Sequence, residues 1–159
     1  MPARLPDGEA TLHQDVVQQA VSDEDVRRCF AVMCQLRVHL ASEDDLLQRV
    51  RRMEVAQGYK LAYAENDEGT VVGVAGYAFY ENIERADPKH LFVHDLVTSA
   101  EVRGEGWGGA LLEWLEAQAR ASGCSRLVLD SNTERQAAHR FYHAHGLTIR
   151  SFHFAKDLD

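Results

Sequence analysis

The chain has 159 residues, 45% of them hydrophobic, and a formal net charge of −8 at neutral pH. This length and hydrophobic content predict one folded domain and exclude a disordered protein. The acidic balance argues against nucleic-acid binding, no apolar run approaches the roughly 20 residues of a membrane span, and the first residues lack the apolar core of a signal peptide. We therefore expect a soluble, cytoplasmic protein without a nucleic-acid or membrane partner.

The predicted elements, in chain order, are two helices, an antiparallel run of strands and two strand–helix–strand crossings. Ser22, with Asp25 three residues later, predicts one helix start, Ser42 predicts a second, and Gly58 predicts its end. Residues 1–13 are expected to be a flexible tail and 14–159 the folded domain. The predicted strands are 16–20, 59–65, 70–80, 90–98, 126–130 and 147–155, and the predicted helices are 22–37, 42–57, the segment that ends at Gly123, and 134–145. This order predicts an α/β domain with a mixed, mostly antiparallel, twisted sheet and helices on both faces.

The glycine-rich segment 102–109 lies between an apolar run and a strong helix pattern. Glycines let a ligand approach the backbone closely. The first amides of a helix have no intrahelical partner, and the helix dipole favours negative charge there. Arg103 adds a cation whose forked donors suit phosphate. The segment therefore predicts a site for a phosphate or pyrophosphate group.

The spacing of these glycines limits the kind of nucleotide site. A P-loop is excluded because Gly108 is not followed by Lys-Ser or Lys-Thr. Gly104, Gly106 and Gly109 fit a dinucleotide fingerprint, and an acidic residue, Asp130, follows about 20 residues later. However, only one strand–helix–strand unit follows the loop. An NAD site and a glycine turn without a ligand remain alternatives.

The pattern Arg103-x-x-Gly106-x-Gly108 resembles the acyl-CoA-binding signature of the GNAT acetyltransferase superfamily. Segment 138–147 resembles a second motif of that family, in which Tyr142 matches the usual catalytic tyrosine. The resemblance covers about residues 91–150 and implies transfer of an acetyl group from acetyl-CoA to a primary amine. It also implies a bulge that splays the fourth strand from the fifth.

The resemblance assigns part of the chain to cofactor binding. It implies that strand amides such as that of Val97 polarise the thioester carbonyl. Arg135 stands where the family often has an asparagine, and Asn132 lies three residues earlier. The residues expected at the cofactor are Leu96, Val97, Thr98, Arg103, Gly104, Glu105, Gly106, Trp107, Gly108, Gly109, Asn132 and Tyr142.

Acetyl transfer to an amine requires a proton acceptor and a proton donor. The resemblance makes Tyr142 the donor to the leaving sulfur, with a purely structural tyrosine as the alternative. Asp95 is an unusual residue among apolar neighbours, and Glu81 follows the third strand, so both are candidate bases. His90 and His94 titrate in a suitable range, and a water relay would need no single base.

The acidic charge favours a cationic acceptor through electrostatic steering, and we expect a small-molecule amine. A catalytically silent acyl-CoA-binding sensor or regulatory module is the alternative function. The family resemblance also allows a homodimer. No metal is expected, because the histidines near the C-terminus lack the His-Glu-x-x-His pattern of a zinc hydrolase.

Overall fold

A computed structural model describes residues 16–158. The tail predicted at 1–13 lies outside the described residues. The chain divides into two compact units, the first ending at Val128 and the second beginning at Leu129. None of the helices in the described part of the chain is long and apolar enough to cross a membrane.

Three helices open the first unit: α1 (Asp23–Arg28), α2 (Phe30–Leu36) and α3 (Glu43–Gln57). The predicted cap at Ser22 is confirmed, because its hydroxyl accepts from the Asp25 amide at 3.1 Å and the Asp25 carboxylate accepts from the Ser22 amide at 2.9 Å. The cap at Ser42 and the stop at Gly58 are confirmed as well.

The single helix predicted over 22–37 is wrong, because the chain breaks at Cys29. The Cys29 thiol donates to the Asp25 carbonyl at 3.2 Å, the acceptor that a continuous helix would offer to the Cys29 amide. The amide bonds instead to the Val26 carbonyl at 3.1 Å. This tighter turn ends α1 and starts α2.

The sheet has five strands in the order β1-β2-β3-β4-β5. Each pair from β1 to β4 is antiparallel. Helix α4 (Trp107–Ala121) connects β4 to β5, the crossover that a parallel neighbour requires, so the sheet is mixed as predicted. The strands are β1 (Val17–Gln19), β2 (Lys60–Glu65), β3 (Val71–Glu81), β4 (Lys89–Thr98) and β5 (Arg126–Leu129).

Helices cover both faces of this sheet, as the sequence predicts. On one face, Leu61 and Val74 pack with Val26 of α1 and Val50 of α3 in one buried cluster. On the other face, Trp114 of α4 contacts Tyr77 edge to face, with ring centroids 5.8 Å apart. We call the first of these the α1–α3 face.

A β-bulge interrupts the pairing of β3 with β4. Tyr77 pairs with Val93 and the adjacent Gly76 pairs with Asp95, so His94 is the extra residue. The bulge expected in the fourth strand is therefore present. It shifts the alternation of side chains by one position, and both His94 and Asp95 contact side chains on the α1–α3 face.

The second unit contains helix α5 (Gln136–Ala144). The strand predicted over 147–155 is wrong, because residues 147–158 form no regular secondary structure. The sequence contains the reason: Leu147 and Ile149 alternate in one phase and Phe152 and Phe154 in the other, so one strand cannot present all four to one face.

Candidate acyl-CoA site

The segment after β4 is a tight loop that leads into α4. The Ser99 amide donates to the Val72 carbonyl at 2.8 Å, which fixes the start of the loop to β3. A single 3-10 turn, Ala100–Val102, follows. Gly104 and Gly106 then have φ of 84° and 87°. L-residues rarely adopt such angles, so this path requires glycine at both positions.

The N-terminus of α4 has the features of an anion site. Gly106 caps the helix without a side-chain hydrogen bond, and the Ala110 amide donates to its carbonyl at 3.0 Å. The amides of Gly108 and Gly109 therefore precede the first intrahelical hydrogen bond. A Cβ added at Gly104 would meet no atom within 4 Å, and Arg103 is exposed. Open space, helix amides and a nearby cation fit a pyrophosphate group.

The remaining residues of the loop do not obstruct this space with unbonded charge. Trp107 is buried, and its indole N–H donates to the exposed Glu105 carboxylate at 3.4 Å. The strand residues predicted to contact the cofactor lead straight into the loop: Val97 is buried, while Leu96 and Thr98 are half-buried. Within the first unit, the predicted cofactor residues therefore form one continuous strand–loop–helix path.

Asp95 is held by two partners from distant parts of the chain. Arg37 Nε donates to Asp95 Oδ1 at 2.7 Å, and the Tyr59 hydroxyl donates to Oδ2 at 2.8 Å. Arg37 Nη2 also donates to the His94 carbonyl at 3.0 Å, so one guanidinium binds both residues of the bulge. The Asp95 side chain is only 12% exposed. Burial, and secondly the Asp95 carboxylate, raise the pKa of Tyr59 well above its usual value.

We call Arg37, Tyr59 and Asp95 the bulge clamp. Gly76 leaves room for it, because a Cβ at that position would lie 2.6 Å from Asp95 Oδ2 and closer still to the Tyr59 hydroxyl. Sequence reasoning missed Arg37 and Tyr59, since no local spacing connects them to the fourth strand. The oddly placed acid at 95 was the only available signal.

His94 lies beside the bulge clamp in a group of aromatic rings. Its Nε2 lies 3.1 Å from the Tyr80 hydroxyl. Its ring centroid is 4.7 Å from that of Phe92 and 5.8 Å from that of Tyr59. His94, Tyr80 and Phe92 are all half-buried, so this part of the α1–α3 face is neither sealed nor fully solvated.

Glu81, the other candidate base, lies away from this group. It is exposed at the end of β3, where it pairs with Lys89. Five residues separate it from Gly76, which is about 17 Å along a strand. The structure therefore does not bring Glu81 together with Asp95. Glu81 lines a shallow depression together with Asn82, Ile83, Arg85 and Pro88.

The two predicted site residues of the second unit are placed by α5 and the turn before it. Asn132 is exposed, and its carbonyl lies 2.9 Å from His139 Nε2. Tyr142 is half-buried on α5. Burial raises the pKa of Tyr142, and the charge of Arg135 opposes that shift. The phenol therefore keeps its proton to a higher pH than an exposed tyrosine does.

Metal chemistry has no support among residues 16–158, which contain no group of three or more His, Cys, Asp or Glu side chains that could hold an ion.

Comparison with known proteins identifies the family. The chain is 32% identical over 143 residues to the uncharacterized N-acetyltransferase YhdJ of Bacillus subtilis (strain 168), an alignment that covers 89% of this chain and 98% of that protein. It is 38% identical over 66 residues to the aminoalkylphosphonate N-acetyltransferase of Salmonella typhimurium, covering 42% and 43% of the two chains.

Solved structures show the same fold. The glucosamine-6-phosphate N-acetyltransferase of Arabidopsis thaliana superimposes with a TM-score of 0.72 at 20% identity, covering 90% of this chain and 97% of that one. The model of the acetyltransferase (GNAT) family matches residues 24–147. The glycine loop before α4, the bulged fourth strand and these matches together show that the chain is an acetyltransferase of the GNAT family.

Proposed function

We propose that this protein transfers the acetyl group of acetyl-CoA to a primary amine of a cationic small molecule. The observation that carries the proposal is the open cradle at the N-terminus of α4, where Gly104 and Gly106 turn the backbone and Arg103 supplies a cation. The net charge of −8 supports a cationic acceptor, because an acidic protein attracts ammonium ions by long-range steering.

The loop and β4 would divide the work of holding acetyl-CoA, which supplies an acetyl thioester. The amides of Gly108 and Gly109 would bind the pyrophosphate, with Gly106 giving close access and Arg103 pairing with its charge. The backbone of 96–98 would hold the pantetheine arm. The Val97 amide would stabilise the oxyanion, a role in which one donor contributes about 3 kcal/mol in other enzymes.

The two remaining catalytic tasks are proton transfers. We keep Tyr142 as the donor to the departing sulfur, because α5 carries the family motif and burial holds the phenol in its protonated form. Asp95 is better explained as a positioning residue, because Arg37 and Tyr59 occupy both of its carboxylate oxygens. Glu81 would act at the acceptor entrance, where it lines the depression at the end of β3.

Two measurements test this proposal. Calorimetry should detect acetyl-CoA binding to the wild-type protein, and Gly108→Leu should weaken it by at least tenfold, since the side chain would enter the cradle. Ala121→Leu, on an exposed residue at the other end of α4, is the matched control and should bind normally. Unchanged affinity in Gly108→Leu would remove the loop from the site, and competition by NAD but not by CoA would replace the cofactor.

Thiol release then tests the activity. The acceptor panel contains spermidine, 2-aminoethylphosphonate, glucosamine 6-phosphate and a peptide with a free N-terminus. Release of CoA with spermidine above the rate of hydrolysis is the expected result. Tight acetyl-CoA binding without thiol release from any member would instead favour the silent sensor. Turnover of the phosphorylated or phosphonate amines alone would refute the cationic preference.

A further inference from the structure

The bulge in β4 gives the sheet an extra side chain on the α1–α3 face. A regular strand would point His94 and Asp95 to opposite faces. Here the extra residue puts the His94 ring within 5.8 Å of Tyr59, while Asp95 bonds to the same tyrosine. The bulge therefore adds an imidazole to a face that already contains a buried carboxylate.

The bulge clamp fixes the backbone that carries this imidazole. Arg37 binds the Asp95 carboxylate at 2.7 Å and the His94 carbonyl at 3.0 Å. It also neutralises the carboxylate, so the charge next to the imidazole is that of an ion pair rather than of a bare acid. The groups that face the imidazole from the described elements are Arg37 after α2, Tyr59 at the start of β2, Tyr80 on β3, and Phe92 and Asp95 on β4 itself.

Tyr80 connects this imidazole to a half-exposed surface. Its backbone pairs with His90, yet its hydroxyl reaches along the face to within 3.1 Å of His94 Nε2. Tyrosine hydroxyls both donate and accept hydrogen bonds. The Tyr80 oxygen is therefore in position to pass a proton to the imidazole while it takes one from a group outside.

We propose that His94 and Tyr80 form the proton relay that deprotonates the acceptor ammonium. This inference rests on the proposed acetyl transfer and adds its missing base. One N–H bond of the ammonium breaks and its proton passes to the Tyr80 oxygen, while the Tyr80 proton passes to His94 Nε2. The amine nitrogen then bonds to the acetyl carbon as the C–S bond breaks, and the sulfur takes up a proton. The imidazolium returns its proton to solvent before the next cycle.

The relay sets the pH dependence of the reaction. His94 accepts a proton only when neutral, so kcat/KM should fall as the pH drops below histidine's usual range, about 6–7. Without the relay, only acceptor that is already neutral would react. The rate of a relay-deficient variant should then keep rising with pH toward the pKa of the amine itself, about 10 for a lysine-like group.

The test compares pH profiles of kcat/KM with spermidine and acetyl-CoA. His94→Gln should lose at least 100-fold at pH 7, the usual scale for general base catalysis, and its profile should rise up to about pH 10. His94→Ala should be partly rescued by added imidazole. Tyr80→Phe should show the same displaced profile. Acetyl-CoA affinity should stay within twofold of the wild type in all three variants, because none lies in the glycine loop.

Two control variants separate the relay from general damage. His39→Gln removes an exposed histidine from the segment between α2 and α3, and Tyr63→Phe removes a tyrosine hydroxyl that bonds to Asp25 at 3.3 Å. Both should keep the wild-type profile. A wild-type profile in His94→Gln or Tyr80→Phe would overturn the relay while leaving acetyl transfer intact. If wild-type protein neither binds acetyl-CoA nor releases thiol, the proposed function fails and the relay fails with it.

Discussion

Gly76→Ala should be unusually costly for a substitution that adds one methyl group. The added Cβ would lie 2.6 Å from Asp95 Oδ2 and would overlap the Tyr59 hydroxyl, so the hydrogen bond between these two groups must lengthen or break. Overpacking costs about 1–3 kcal/mol, and a hydrogen bond to a charged group contributes about 1.5–3 kcal/mol. The better strand propensity of alanine returns up to about 1 kcal/mol. We expect a net loss of about 2–5 kcal/mol in the free energy of unfolding.

Equilibrium unfolding in urea measures this loss, and a double-mutant cycle assigns it. Tyr59→Phe removes the hydroxyl that the new methyl would meet first. Gly76→Ala should therefore cost at least 1 kcal/mol less in the Tyr59→Phe background than in the wild type. Gly73→Ala is the matched control on the same strand, because its Cβ would meet only the terminal methyl of Leu111, at 2.8 Å, as its nearest atom.

Two results would refute this reasoning. One is a change in Gly76→Ala of less than about 0.5 kcal/mol, the range of ordinary surface substitutions. The other is a cost that is the same in both backgrounds, which would show that the Tyr59 hydroxyl does not restrict the site.

Two further predictions concern tyrosines in the two units. Tyr142→Phe should lower kcat by at least tenfold and change acetyl-CoA affinity by less than threefold; equal turnover in stopped thiol-release assays would show that Tyr142 is not the proton donor. Burial raises the pKa of Tyr77 to about 12. Its contribution to stability is therefore complete below pH 10 and is lost as the pH rises from about 10 to 12, so Tyr77→Phe should flatten the loss of stability over that interval. Parallel alkaline denaturation curves for the variant and the wild type would contradict the assignment.

Local signals predicted much of the fold because caps and turns act within a few residues. Ser22, Ser42 and Gly58 marked helix ends correctly, and the glycine loop was placed between the correct strand and helix. The break at Cys29 was missed because a thiol replaced an amide as the donor to one carbonyl.

The candidate site was harder to predict because its contacts are distant in sequence. The glycine loop is local and was found from its spacing. The bulge clamp joins the end of α2, the start of β2 and the middle of β4. The position of the bulge depends on the register between two strands, which one strand's sequence does not encode. His94 therefore remained one of several candidate bases in the sequence, whereas the structure gives it a defined partner in Tyr80.

The register around His94 has an evolutionary consequence. Deleting this one residue would restore a regular ladder in which Val93 still faces Tyr77 and Asp95 still faces Gly76. The hydrophobic interior would keep its composition, and only the imidazole and the irregularity would disappear. Single-residue deletions and insertions at this position therefore offer a lineage a way to gain or discard a titrating group without redesigning what lies beneath it.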